Sequence, residues 1–159
     1  MKNIGLIGCG NISETYFRSQ EYFNNINFVS CADINEENAK KCADIYKIKY
    51  QSVQDLLNDK TVDIILNLTN PISHYDVIKK TLESNKHSYC EKPMCINPKE
   101  LGMIIKQYES FNKVFMVGFN RRFSPLILKA KSLLKTERVQ KAFLMTVNAG
   151  GIPREHWLQ

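Results

Sequence analysis

The chain has 159 residues, enough for one well-cored domain and too few for two full ones. Its apolar fraction of 43% and charged fraction of 24% are those of an ordinary globular protein, and no apolar run is long enough for a membrane span. The formal charge of +6 is uneven, since residues 98–159 carry 11 basic and 4 acidic side chains. No nucleic-acid-binding motif accompanies this excess, so solvated helix faces are expected and no nucleic-acid partner.

Hydrophobic periodicity predicts a regular succession of elements. Lys2–Ile7 reads as a strand, Ile12 to about Phe23 as a helix, and Ile26–Asp33 as a second strand after the turn Asn24-Asn25. Glu36–Tyr46 reads as a helix capped by Asn35, and Val53–Leu57 as a short helix in which Ser52 faces Asp55 across the first turn. Asp63–Asn67 is a continuous apolar strand suited to burial on both faces. A helix follows Pro71, from about His74 to Ser84, and then a short strand, Ser88–Cys90. Asn97-Pro98 opens a helix to Phe111, with Leu101, Ile104, Ile105 and Tyr108 as its expected buried face. Val114–Gly118 is the next strand. Ser124-Pro125 opens a helix through Leu134, with Ile127, Ala130 and Leu134 facing inward.

Strands alternating with helices in this way predict an α/β fold, a doubly wound parallel sheet of the Rossmann kind. The final stretch differs. Val139–Asn148 reads as a longer, alternating strand with an unpaired edge, expected to pair with a second copy in a homo-oligomer. The stretch thus reads as the first strand of a second domain. The five cysteines (Cys9, Cys31, Cys42, Cys90, Cys95) form no C-x-x-C pair, and the three histidines are scattered. Buried reduced thiols are expected, and no metal site. The N-terminus enters a strand directly, which makes a cytoplasmic location the expectation.

Gly8-Cys9-Gly10-Asn11-Ile12-Ser13 lies where the first strand turns into the first helix. Gly8 permits the tight turn, and Gly10 lets a pyrophosphate approach the backbone amides at the helix start. Ser13 stands at the third glycine position. Asp33 ends the second strand 23 positions after Gly10, where a carboxylate accepts hydrogen bonds from the adenosine ribose hydroxyls. The same charge repels a 2′-phosphate, and no arginine follows in Ile34-Asn35-Glu36. NAD is therefore expected rather than NADP.

Two further stretches follow strand ends, where ligands of open α/β sheets collect. The first is Asn67-Leu68-Thr69-Asn70-Pro71, whose residues, Thr69, Asn70 and Pro71 foremost, are candidate cofactor neighbours, although a plain turn before a helix would have the same composition. His74, in the first turn of that helix, is open to a structural or a cofactor role. In the second, Glu91-Lys92-Pro93, a lysine can hydrogen-bond a substrate hydroxyl and shuttle its proton during hydride transfer, with the glutamate holding the ammonium.

The stretches GLIGCGNIS (5–13), CADINEENA (31–39), NLTNPISHYDVI (67–78), EKPM (91–94) and VGFNRRFSP (117–125) together resemble the Gfo/Idh/MocA family of NAD(P)-dependent oxidoreductases. The resemblance implies action on sugars, polyols or nucleotide sugars. It implies Lys92 as the catalytic lysine, with Glu91 beside the cofactor. It also implies Arg121 near the cofactor or substrate and Arg122 near the substrate. The tail NAGGIPREHW (148–157) is similar to a sugar and nucleotide-sugar dehydrogenase subgroup, which makes His156 and Trp157 substrate candidates. Family members are considerably longer and carry a downstream Asp-x-x-x-His pair in a second domain, whereas no aspartate follows Asp76 here. The resemblance therefore implies residues 1–122 as a dinucleotide-binding domain and residues 123–159 as the truncated start of an α+β substrate domain, and two expectations follow. The chain is the NAD-dependent portion of a sugar-type dehydrogenase, or it is a dinucleotide-binding module without catalysis that pairs with itself or another chain.

Overall fold

A computed structural model describes residues 1–136. The chain divides into a first compact unit, Met1–Gly118, and a second that begins at Phe119, a few residues before the expected boundary at 122/123. The strand expected at 139–148 and its pairing with a second copy lie outside the described residues, as do His156 and Trp157. No helix among the described residues is long and apolar enough to cross a membrane.

The first unit runs β1 (Lys2–Ile7), α1 (Ser13–Ser19), β2 (Ile26–Ala32), α2 (Glu36–Tyr46), β3 (Lys49–Tyr50), α3 (Val53–Asn58), β4 (Ile64–Asn67), α4 (Pro71–Glu83), β5 (His87–Cys90), α5 (Pro98–Glu109) and β6 (Phe115–Val117). The six strands form one sheet in the order β3-β2-β1-β4-β5-β6, and every pairing is parallel. Sequence order reverses between β1 and β4, so a crevice opens beyond the C-terminal ends of these two strands, the usual ligand position in such sheets.

Both faces of the sheet are covered, as the apolar run Ile64-Ile65-Leu66 requires. Ile4 and Leu6 pack with Phe28, Cys31 and Leu66 under Phe17 of α1 and Cys42 and Ala43 of α2. Ile7, Ala32 and Ile65 pack on the opposite face under Leu56 and Leu57 of α3 and Val77 of α4. Ile78, Leu82, Cys90 and Ile104 close the end toward β5. Pairing along β1 and β2 skips from Ile4–Phe28 to Gly5–Ser30, which leaves Val29 as the extra residue of a bulge. The bulge brings Cys31 opposite Leu6, on the face covered by α1 and α2.

The caps follow the side chains. Asn35 accepts from the Glu37 and Asn38 amides, and Ser52 accepts from the Asp55 amide at 3.1 Å while donating to its carboxylate at 2.7 Å. Asn97 accepts from the Lys99 amide ahead of α5. Asn70 caps α4 with Pro71 at its start, so this helix begins before the expected His74. The first helix ends at Ser19 rather than Phe23 and tightens into a 3₁₀ turn over Gln20–Tyr22. There the Gln20 side chain accepts from the Phe28 amide of β2 at 3.1 Å. The strand β3 was not expected. Lys47 takes a left-handed conformation (φ 55°) at the end of α2 and sends the chain back alongside β2.

The expected inner face of α5 needs correction. Ile104 is buried, but Leu101, Ile105 and Tyr108 are 36%, 52% and 39% exposed. In the second unit, a 3₁₀ helix (Asn120–Phe123) precedes α6 (Pro125–Thr136). Ile127 and Ala130 are half-buried there, and Leu134 is exposed rather than inward-facing.

Candidate functional site

The glycine turn sits at the switch point. Gly8 has φ +102°, and a Cβ on it would lie 2.6 Å from the Leu68 carbonyl carbon and 2.7 Å from the Thr69 nitrogen. Only glycine fits, because the loop after β4 is pressed against the loop after β1. The Gly8 amide donates to the Ala32 carbonyl at 2.9 Å, and the Leu68 amide to the Ile7 carbonyl at 2.8 Å. Gly10 is different. Nothing lies within 4 Å of where its Cβ would be, so its backbone faces open space wide enough for a ligand to approach. Ser13 fills the third glycine position without crowding, because its hydroxyl turns back to the Gly10 carbonyl at 2.7 Å and closes the turn.

Asp33 stands just beyond β2 and points at this turn. Its Oδ2 accepts the Cys9 amide at 2.7 Å, and its Oδ1 accepts the Asn35 amide at 2.8 Å. One backbone donor on each oxygen fixes the carboxylate plane and leaves further lone pairs available to hydroxyl donors. Ile34 beside it is fully exposed, and no cation follows in the loop.

The loop after β4 is organised by Asn67, the last residue of the strand. Asn67 is fully buried, accepts from the Thr69 amide at 3.2 Å and hydroxyl at 2.7 Å, and donates to the His74 carbonyl at 3.3 Å. Thr69 and Asn70 follow β4 at its C-terminal end, and Pro71 opens α4. His74 lies beneath them, 1% exposed, with Nδ1 2.5 Å from the Pro93 carbonyl oxygen and Nε2 2.9 Å from that of Thr69. It ties the loop after β4 to the loop after β5.

Glu91 and Lys92 follow β5 directly. The Glu91 carboxylate is buried and accepts the Tyr16 hydroxyl at 2.5 Å through Oε1 and the Lys92 backbone amide at 2.9 Å through Oε2. Where the sequence suggested that Glu91 holds the Lys92 ammonium, its oxygens are instead taken by a tyrosine of α1 and a main-chain donor. Lys92 is exposed. Tyr16, missed from the sequence, packs edge-on against Tyr89 with ring centroids 5.9 Å apart. Burial, and then hydrogen bonding to Glu91 and Tyr89, raises its phenol above the ordinary tyrosine range.

Three of the cysteines read as separate buried thiols converge beneath the turn. The sulfurs of Cys9, Cys31 and Cys42 all lie within 4.8 Å of one another. Arg121 and Arg122 belong to the second unit, where both are exposed and the Arg122 guanidinium lies 4.5 Å from the centre of the Phe119 ring.

Comparison with known proteins agrees with this geometry. The model of the GFO_IDH_MocA group, an oxidoreductase family with an NAD-binding Rossmann fold, matches residues 2–119. The glucose-6-phosphate 3-dehydrogenase of Bacillus subtilis (strain 168) is 30% identical over 135 residues, which cover 84% of this chain and 38% of the relative. The inositol 2-dehydrogenase/D-chiro-inositol 3-dehydrogenase of Lactiplantibacillus plantarum is 26% identical over 147 residues, 89% of this chain and 42% of the relative. The crystal structure of myo-inositol dehydrogenase from Lactobacillus casei, in complex with NAD(H) and myo-inositol, shares the fold. It superposes with a TM-score of 0.79 at 23% identity over 86% of this chain and 42% of that one. The chain thus spans less than half the length of these relatives. With the family model matched across the whole of its parallel sheet, the chain belongs to the Gfo/Idh/MocA oxidoreductase family, whose fold is the NAD-binding Rossmann domain.

Proposed function

We propose that this chain holds NAD(H) across the switch-point crevice and forms the dinucleotide-binding portion of a dehydrogenase acting on a sugar, polyol or nucleotide sugar. The observation that carries the reading is the Asp33 carboxylate, fixed by the Cys9 amide at 2.7 Å and aimed at the glycine turn. The residues fit the dinucleotide. Gly10 leaves open space where a pyrophosphate would approach, and Asp33 offers acceptors to ribose hydroxyls while opposing a 2′-phosphate. Thr69, Asn70 and Pro71 would line the same crevice, with His74 beneath them holding their loop.

The bound nicotinamide supplies the hydride acceptor or donor. Lys92 would orient the substrate hydroxyl and exchange its proton at Nζ. Glu91 fixes the backbone of that lysine through its amide, and Tyr16 fixes Glu91. Arg121, Arg122, His156 and Trp157 are the candidates for substrate contact. The relatives that act on glucose 6-phosphate and inositol support a polyhydroxylated substrate.

The test is a thermal-shift series with NAD(H) against NADP(H), joined to a panel of sugars and nucleotide sugars followed by reduced-nicotinamide absorbance. NAD(H) should raise the unfolding temperature more than NADP(H), because a ligand of the folded state alone stabilises it. Turnover that vanishes in Lys92→Ala while NAD(H) still binds supports the catalytic reading. Binding with no turnover on any substrate supports the module reading.

A further inference from the structure

The three sulfurs beneath the glycine turn come from three different elements. Cys9 follows β1, Cys31 lies on β2 and Cys42 on α2. The Val29 bulge turns Cys31 to the face on which α2 packs, and this brings the set together. Cys31 and Cys42 are 0% and 6% exposed, whereas Cys9 is half-buried and opens toward solvent. All three are free thiols.

Their existing partners are poor. The Cys9 thiol faces the Ala32 carbonyl at 3.6 Å, and the Cys31 thiol faces the Ala39 carbonyl at 3.4 Å. Both are weak hydrogen bonds, because a thiol is a weak donor. A hard cation such as magnesium or calcium would want oxygen ligands, which this group does not offer. Among the described residues the group has three sulfurs and no fourth ligand, short of the closed tetrahedral set of a structural zinc site. Soft thiolate ligands select soft cations.

We propose that Cys9, Cys31 and Cys42 form a three-sulfur site for a soft, thiophilic cation of the Cu(I) or Cd(II) class. On binding, the cation replaces the thiol protons, which pass to solvent, and no electron is transferred. Cys9 is the entry side. The loaded site ties the glycine turn to β2 and α2, the two elements between which Asp33 is held. This inference is independent of the dehydrogenase reading and does not require NAD(H) to bind.

The experiment titrates the whole chain, kept reduced by a phosphine so that no thiol competes, with Cd(II) alone. The sulfur-to-cadmium charge-transfer band in the ultraviolet and the unfolding temperature are read together. The band should saturate at one cation per chain, and the unfolding temperature should rise with loading. Cys9→Ser, in a half-exposed loop position, should still fold and should weaken binding by more than roughly 100-fold, beyond what an outer-shell change costs. Cys31→Ala and Cys42→Ala should lose the band to the same degree in material whose circular dichroism matches the parent. Cys95→Ser should leave it intact. Absence of the band in the parent, its persistence in Cys9→Ser, or its loss in Cys95→Ser would overturn the proposal.

Discussion

The Tyr16 hydroxyl donates to the buried Glu91 carboxylate at 2.5 Å, and so joins the helix after the glycine turn to the loop that carries Lys92. The bond adds a side-chain tie between α1 and the loop after β5 to the backbone contacts between the loops after β1 and β4. The second Glu91 oxygen is engaged by the Lys92 amide, so the whole carboxylate is spent on positioning. Tyr16→Phe keeps the ring packing on Tyr89 and removes only the donor. Hydrogen bonds to charged groups contribute about 1.5–3 kcal/mol, and a loss of that order is expected in denaturant unfolding. A variant as stable as the parent would show that the bond is not needed to hold the loop.

Gly8 and Gly10 should separate folding from binding. Gly8→Ala places a Cβ 2.6 Å from backbone at a positive φ, so it should destabilise the chain by about 1–3 kcal/mol or more. Gly10→Ala meets nothing within 4 Å and should fold normally, while its methyl group occupies the pyrophosphate approach. Unfolding midpoints and NAD(H) thermal shifts on both variants check this. Equal effects of the two substitutions on stability would contradict it.

Much of this arrangement was legible in the sequence, for identifiable reasons. The glycine turn, Asp33 and the capped starts at Asn35, Ser52 and Asn97 are local signals, each set by residues a few positions apart. The features missed are long-range. Tyr16 meets Glu91 across 75 positions, and the three cysteines converge only because a bulge in β2 turns Cys31 over. The two-residue β3 has too few residues for any period to show, and its place is fixed by pairing with β2. On α5 the apolar spacing marks a face, but among the described residues only Ile104 of that face is covered.

Asp33 should control cofactor choice. Asp33→Ala removes both the acceptors for ribose hydroxyls and the charge opposing a 2′-phosphate. NAD(H) binding should weaken by roughly tenfold or more, at about 1.4 kcal/mol per tenfold, and the preference over NADP(H) should shrink. Thermal shifts with the two coenzymes read this directly, and an unchanged preference would count against the role.

Lys86 is a buried cation directly before β5, at the opposite end of the strands from the crevice. Its ammonium donates to the Asp59 carbonyl at 2.6 Å and the Val62 carbonyl at 2.8 Å. Burial lowers its pKa, yet the two carbonyls hold it in place. Lys86→Met leaves both oxygens without that donor and should cost about 1–3 kcal/mol in chemical denaturation. A neutral substitution would show that water replaces the ammonium.

His87 should make stability fall on mild acidification. Burial, followed by Lys113 and Lys2, lowers its pKa, and its Nδ1 accepts the Val114 amide at 3.0 Å. Above about pH 6.5 the imidazole is neutral in both folded and unfolded chains, and its contribution is fully present. As the pH falls through that value, the unfolded chain takes up the proton first and stability declines toward the depressed folded pKa. Unfolding midpoints between about pH 7.5 and about pH 5 should therefore drop less in His87→Gln than in the parent.

Calorimetric titration of the folded chain with NAD(H) bears most directly on the central claim, that the turn Gly8–Ser13 and the Asp33 carboxylate form one dinucleotide site. The account requires saturable heat at one NAD(H) per chain, weakened in Asp33→Ala and in Gly10→Ala alike. No heat from properly folded parent protein, or binding indifferent to both substitutions, would contradict it.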